Sequence, residues 1–318
     1  MDVYALPWLL VTINATIWTL LVEHSDEVSK FSIHNVEVHI NLLVSACLAF
    51  LLVFRLNRVA IRWWDTRRNW GVVVEQVRTI VSEILEHVHH APELRDDAVR
   101  WCGGYLIAIK QFLRGERCID PIELAGFLSR EQIQCIQDSH HPGLYCTSEI
   151  RHALKIALSI NDNDDEHNMH HQAYQFSSSL QRLEIALHQL IAQVGGMERV
   201  KATPLPIVYV THLRTFLILY LLLLPYVFAG EWGFYTILVV SLVAFALLGI
   251  DGAAHECEVP FSKGRVNHLD MEAFCIMAMD NITQLVCHSA DMYDRDYKVG
   301  IRNGEEVEDD VSSVMEKV

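Results

Sequence analysis

The sequence is short of positive charge. It has 25 Lys and Arg against 40 Asp and Glu in 318 residues, a formal net charge of −15. Proteins that bind nucleic acid neutralise phosphates with clustered basic side chains, so no nucleic-acid partner is expected. The sequence also lacks any C-x-x-C pair. Its eight cysteines (Cys47, Cys102, Cys118, Cys135, Cys146, Cys257, Cys275 and Cys287) are scattered, which argues against a disulfide framework or a zinc knuckle and for free thiols in helices. There is no nucleophile elbow, Walker loop or dinucleotide fingerprint, and the isolated Gly195-Gly196 reads as a helix stop. No enzyme activity is expected, no catalytic residue is assigned and no cofactor is implied. Asp2 stands where a secretory signal would carry basic residues, and the first apolar run is too long for a signal core. No segment alternates with the period of a strand and no repeat recurs at fixed spacing, so the fold is expected to be all-α.

What the sequence does have is apolar residue in long runs. Half of it, 51%, is hydrophobic. A helix needs roughly 20 mostly apolar residues to cross about 30 Å of hydrocarbon, and four segments approach this: 3–22, 38–54, 205–229 and 232–250. One such run is compatible with a buried core helix; four together predict transmembrane helices. Arg55, Arg58, Arg62, Arg67 and Arg68 follow the second run, which marks that end as cytoplasmic or its stromal equivalent. The link between the first two runs carries Glu23, Asp26, Glu27 and Glu37 against Lys30. The link between the last two is essentially Gly230-Glu231. Both links are therefore placed outside, and the N-terminus, the middle and the C-terminus inside.

The polar middle, 55–204, is predicted to be a helical bundle. Val77, Ile80, Val81, Ile84, Leu85 and Val88 form an apolar stripe with helical spacing, as do Leu180, Leu183, Leu187, Leu190, Ile191 and Val194. Ser129 and Gln132 have the spacing of a capping box. Ser139-His140-His141-Pro142-Gly143 reads as a turn, and Asn161 to Glu166 as an acidic loop. The expected organisation is a single domain over 1–300 and an acidic disordered tail over 301–318, where Glu305, Glu306, Glu308, Asp309 and Asp310 cluster.

Several residues could carry chemistry. Phe50 and Phe54 are four apart and share one helix face, which Ala46 continues one turn earlier. On one copy that face is equally suited to lipid or helix packing; around an axis of several copies it would form an apolar constriction. Pro204 and Pro206 bracket Leu205 at the start of the third run, where irregular backbone has to be buried or face water. An intramembrane Arg214, with His212 nearby, needs a partner or an aqueous face. Asp251, Glu256 and Glu258 leave the fourth run and could face solvent or pair with the arginines after the second. His87, His89 and His90 lie near one helix end, and His140 and His141 in a turn. His167, His170 and His171 have a spacing that suits a metal, but they sit beside Asp162, Asp164 and Asp165 and are read as charge balance, so no metal site is assigned. Asn14-Ala-Thr and Asn281-Ile-Thr match the glycosylation pattern but fall inside a span and on the inner side.

Three stretches together resemble the bestrophin family. Phe54-Arg55-Leu56-Asn57, Arg62-Trp63-Trp64 and Trp70-Gly71 are similar to that family's exit from its second span. Pro204-Leu205-Pro206-Ile207-Val208-Tyr209, running on to Leu224-Pro225, is similar to its third. Glu258-Val259-Pro260-Phe261, with Leu269-Asp270 and Phe274-Cys275, resembles the segment after its fourth. The matches cover about a third of the chain in the right order.

The resemblance implies a homopentamer in membrane lipid around a central anion pore. Phe50 and Phe54 would line a neck with Ala46, where the family usually has a bulkier residue. Leu205 would form a second, cytoplasmic aperture. Arg55, Arg58, Arg62, Arg214 and Glu258 would be charges at the pore mouth or structural pairs. Animal members hold calcium in an acidic clasp after the Pro-Phe. Here that place reads Ser262-Lys263-Gly264-Arg265, so a calcium clasp is not expected, and the chain resembles the bacterial and plant or algal branches more closely. Photosynthetic members sit in thylakoid membranes and pass chloride or bicarbonate; the plasma membrane is the alternative compartment. The expected function is a passive anion channel with chloride as permeant ion. The rivals are a proton- or metal-coupled secondary transporter using His212, Arg214 and Asp251, and a membrane-anchored helical scaffold.

Overall fold

The computed structural model describes residues 2–24, 36–88, 91–116, 123–124, 127–159, 169–263 and 268–292. Side chains at 2–4, 36–39, 158–159 and 169–176 are outside this description. So are the predicted acidic loop, the acidic tail, Cys118, His89, His90, His167, the side chains of His170 and His171, and the Gly264-Arg265 half of the stretch after Pro260-Phe261. Among the described residues there are helices and turns and no strand.

The helices are α1 (Asp2–His24), α2 (Val36–His87), α3 (Pro92–Arg114), α4 (Arg130–Asp138), α5 (Pro142–Ser159), α6 (Met169–Ala202), α7 (Ile207–Trp232), α8 (Tyr235–Glu258) and α9 (271–292). Four of them, α1, α2, α7 and α8, contain stretches long and apolar enough to cross a membrane. They coincide with the four apolar runs of the sequence. The second run does not end as a separate helix: α2 continues for 52 residues, about 78 Å at helical rise, and takes in the predicted Val77–Val88 stripe except its last residue.

The chain divides into two compact units, each drawn from separate segments: Met1–Arg67 with Arg199–Leu269, and Arg68–Glu198 with Asp270–Val318. In the first unit α1 packs against α8 and α7, and α7 against α8. Its core is aliphatic, with Val11 and Ala15 from α1, Leu48 and Leu52 from α2, Leu213, Leu217, Leu221 and Leu224 from α7, and Val240, Ala244 and Leu248 from α8. The spacing of the α7 and α8 residues is one helical stripe each. Between apolar surfaces packing adds to lipid exclusion, and α1 also contributes directed bonds. Trp8 Nε1 donates to the Ser241 carbonyl at 3.0 Å, and Asn14 Nδ2 to the Leu222 carbonyl at 3.0 Å. The Asn14 amide is thus engaged between spans. Gly230-Glu231 is not the link between α7 and α8, because α7 runs on to Trp232. The turn is made by Gly233, at φ 48°, and Phe234. A left-handed φ favours glycine, and Gly233 is the residue that adopts it where the helix ends.

In the second unit α3 packs against α5. From Ala98 to Leu113 α3 is buried over nearly its whole circumference. Close approach is possible because three positions lack a side chain. A Cβ at Gly103 would lie 2.8 Å from Phe127 Cδ1, and one at Gly104 2.5 Å from Leu128 Cδ1. A Cβ at Gly143 would collide with the Ile109 side chain. Pro142-Gly143, expected in a turn, instead opens α5, where proline at the first helical position needs no N–H; the bend is confined to the residues just before it. Gly115, at φ 75°, closes α3 with its amide and that of Glu116 bonded to the carbonyls of Phe112 and Gln111. The capping box is present at α4: Gln132 N donates to Ser129 Oγ at 3.2 Å, and Ser129 N to Gln132 Oε1 at 2.9 Å. Gly195-Gly196 does not stop α6, which continues to Ala202. Val194 and Met197 on either side are buried; packing there outweighs the roughly 1 kcal/mol that a helical glycine costs.

Candidate functional site

The membrane portion of α2 has two unlike faces. Leu48, Leu52, Arg55 and Val59 are spaced by four, three and four residues and are all fully buried. The other face presents Ala46, Phe50 and Phe54, with Phe50 69% and Phe54 48% exposed. Their rings lie 6.3 Å apart between centroids and are inclined by only 21°, a ladder along the helix. Large aromatic side chains left uncovered in a row, on a helix whose opposite side is sealed, are an unpartnered apolar surface.

The sealed side is held by charge. The Arg55 guanidinium, fully buried, is ion-paired through Nη1 with Asp251 of α8. Asp251 also accepts from Arg214 Nε of α7 at 3.1 Å. Glu258 Oε2 lies 3.5 Å from Arg55 Nη2. Two arginines and two carboxylates from three helices therefore balance one another in the first unit. The pairing of the post-span acids with the arginine cluster, left open by the sequence against plain solvation, is realised for Arg55. The intramembrane Arg214 has its partner in Asp251. Of the remaining arginines named from the sequence, Arg58 is exposed on α2. Arg62 donates through Nη2 to the carbonyls of Val200, at 3.0 Å, and Thr203, at 2.7 Å.

Residues 203–206 are not helical, so Pro204 and Pro206 separate α6 from α7 and kink neither; Leu205 sits half-buried between them. His212 is exposed on α7. The structure thus brings Arg55, Arg214, Asp251 and Glu258 together, keeps Phe50 and Phe54 apart from them on the far side of α2, and places Leu205 in the connecting loop.

The profile of the family described as Bacterial/Fungal Bestrophin protein matches residues 4–284. The chain belongs to the bestrophin family. It is 30% identical over 264 residues, 80% of each chain, to a voltage-dependent anion channel-forming protein of Nostoc. A protein of Synechocystis with the same descriptive name is 27% identical, over 81% of this chain and 79% of the relative. Among solved structures, a bacterial bestrophin homologue from Klebsiella pneumoniae superposes with a TM-score of 0.76 at 22% identity, covering 88% of this chain and 97% of that one. The match establishes the all-α fold, and with the four apolar helices it makes this bestrophin an integral membrane protein.

A further constellation of this bestrophin lies in the second unit, and sequence reasoning did not find it. Lys110 on α3 is fully buried, yet its Nζ donates to Glu123 Oε2 at 2.7 Å and to Glu272 Oε2 at 2.9 Å; Arg114 Nη1 reaches the same Glu272 oxygen at 3.3 Å. Burial alone would lower the lysine pKa, but hydrogen bonds and charge from Glu123 and Glu272 more than offset it and raise the value. Burial alone would likewise raise Glu272, but Lys110 and Arg114 hold it below the ordinary carboxylate range. The signal in the sequence is one cation inside the apolar run Tyr105–Leu113, but its acids are 13 and 162 positions away. The cysteines among the described residues are free. Burial pushes the Cys102 and Cys275 thiols up to about 12, which leaves them unreactive. Among the described residues no group of three or more His, Cys, Asp or Glu is arranged to hold a metal.

Proposed function

We propose that this bestrophin is one subunit of a homo-oligomeric, passive anion channel, a pentamer by family resemblance, with the Ala46, Phe50 and Phe54 face of α2 turned to a central pore. The observation that carries this reading is the two-faced second span: its outward row of phenyl rings is uncovered while Arg55, next in sequence to Phe54, is locked on the opposite side. In a ring of copies the uncovered faces meet around the axis and close a narrow apolar neck. Such a neck gates by dewetting. Ring edges carry partial positive charge and favour an anion over a cation. The names of the relatives agree with the reading: those of Nostoc and Synechocystis are called voltage-dependent anion channel-forming proteins, and one from Arabidopsis thaliana, 22% identical over 77% of this chain and 55% of its own length, is called a chloroplastic voltage-dependent chloride channel.

In this reading Leu205 forms a second aperture at the inner end, chloride is the permeant ion with bicarbonate as a further candidate, and the helical middle lies on the cytoplasmic or stromal side. No calcium clasp takes part in gating, since Ser262 and Lys263 follow Pro260-Phe261 where an acidic run would be needed. The compartment in this reading is a thylakoid membrane, with which the chloroplastic name of one relative agrees, and the plasma membrane is the alternative.

The test is to fuse purified protein into planar bilayers with unequal chloride on the two sides. A reversal potential at the chloride equilibrium value supports the anion pore, and replacing chloride by bicarbonate ranks the two ions. Reversal at the cation value, or silence from well-folded protein, removes it and brings forward the coupled transporter and the scaffold.

A further inference from the structure

We propose that Arg62 is a positioning residue that fixes the Leu205 loop to the same helix that carries the Phe50–Phe54 face. In a continuing helix the Val200 carbonyl would accept from the amide four residues on, but that residue is Pro204, which has no N–H. Thr203 is the last residue before the proline, and the helix that would have satisfied its carbonyl ends at Ala202. Both orphaned acceptors are taken by one atom of α2: Arg62 Nη2 lies 3.0 Å from Val200 O and 2.7 Å from Thr203 O. The guanidinium therefore supplies the donor that the proline removed.

Arginine suits the place for two reasons. Its charge lies at the C-terminal end of α6, where the helix dipole is negative, and the two N–H groups on its Nη2 serve two carbonyls at once. Because the guanidinium does not deprotonate in proteins, the clasp holds at any working pH. The clasped residues directly precede Leu205. Arg62 follows Phe54 by two helical turns, about 12 Å along the axis. One rigid helix thus carries the aromatic face at one level and fastens the Leu205 loop at the next. If Leu205 is the inner aperture, which rests on the pore reading above, the separation of neck and aperture is set by this side chain.

The experiment uses the full-length protein in detergent and in bilayers, with Arg62→Met, Arg62→Lys and Leu205→Ala. Hydrogen exchange is read by mass spectrometry on peptides covering 199–210, with 213–224 as internal reference. The loss of a bond from a charged donor predicts about tenfold faster exchange in Arg62→Met at 199–210 alone. Arg62→Lys, which keeps a donor and a charge, should be intermediate. In bilayers the iodide-to-chloride permeability ratio should move in Arg62→Met in the direction set by Leu205→Ala, and the double variant should show less than the sum of the two changes.

Unchanged exchange in Arg62→Met overturns the clasp. Faster exchange with an unaltered permeability ratio, while Leu205→Ala does shift it, overturns the role in the aperture. An unaltered ratio in Leu205→Ala removes Leu205 from the pore instead, and the exchange result still decides the clasp. Should Arg62→Met fail to elute as the native oligomer, the same comparison is made with Arg62→Lys.

Discussion

Arg55 and Asp251 meet in an ion pair from which solvent is almost wholly excluded, with side-chain exposures of 0% and 4%. Breaking a buried pair by neutralising one partner costs about 3–5 kcal/mol, because the other charge stays buried. Asp251→Asn should therefore lower the melting temperature of the purified protein more than Arg214→Gln, since Arg214 is 36% exposed and its loss still leaves Asp251 with Arg55. Adding Arg55→Gln to Asp251→Asn should recover part of the loss. A melting curve for Asp251→Asn that overlays the wild type would show that the pair does not hold α2 to α8.

Phe50→Ala combined with Phe54→Ala removes both rings of the exposed ladder. Single-channel recording should show a larger unitary current or loss of closures, because the apolar constriction is wider and wetter. Folding should be little disturbed, as both rings are uncovered in the subunit. Unaltered currents would remove these residues from the neck.

Calcium from nanomolar to micromolar should leave open probability unchanged. The residues after Pro260-Phe261 begin with Ser262 and Lys263, and hard cations of this kind need six or more oxygen ligands, several of them carboxylates. A steep activation curve in the same bilayer recordings would refute this.

The Lys110 cluster makes an asymmetric prediction. Lys110 is fully buried, while Glu123 and Glu272 are 32% and 44% exposed. Removing both acids, Glu123→Gln with Glu272→Gln, strands a buried ammonium. Removing the lysine, Lys110→Met, leaves carboxylates that water can reach. The double variant should thus be the less stable in thermal melts, and equal melts would show that burial of Lys110 is not what makes the cluster matter.

The same cluster sets a pH window. Glu272, held low, contributes stability that is present above its ordinary pKa and is lost as pH falls through its depressed value. Lys110, held high, contributes stability that is intact below the ordinary lysine value and is lost as pH rises through its raised one. Stability from this cluster should stay level between the ordinary carboxylate value of 4.5 and the ordinary lysine value of 10.5, and fall only outside those limits. In Lys110→Met the alkaline fall should vanish.

The four spans, the Val77–Val88 stripe and the α4 capping box were legible because each depends on neighbours within a few turns. The punctuation was less so. Gly195-Gly196, Gly230 and Pro142-Gly143 all look like breaks, yet the first two positions lie within helices and the third begins one. At Gly143 the absent Cβ admits Ile109 from another helix, a reason that has no local trace. Long-range charge partners divided in the same way. The acids after the fourth run and Arg55 could be matched because two membrane exits on one side are few. Lys110 could not be matched to Glu272 across 162 positions. The outward phenyl ladder was legible as a helix face, but which side of α2 is sealed depends on Asp251 and Glu258, far along the chain.

The bonds of α1 bear on how the protein is made. Trp8 and Asn14 donate to carbonyls 233 and 208 residues downstream, in the two helices that are synthesised last among the spans. At roughly 5–20 residues per second, the first span waits on the order of ten to fifty seconds for its partners. During biogenesis its indole and amide groups lie in lipid or against the insertion machinery without their final acceptors. Assembly of the membrane unit is therefore a late event that waits for the α7–α8 hairpin, and a chain cut short before Leu222 leaves α1 with neither of these acceptors.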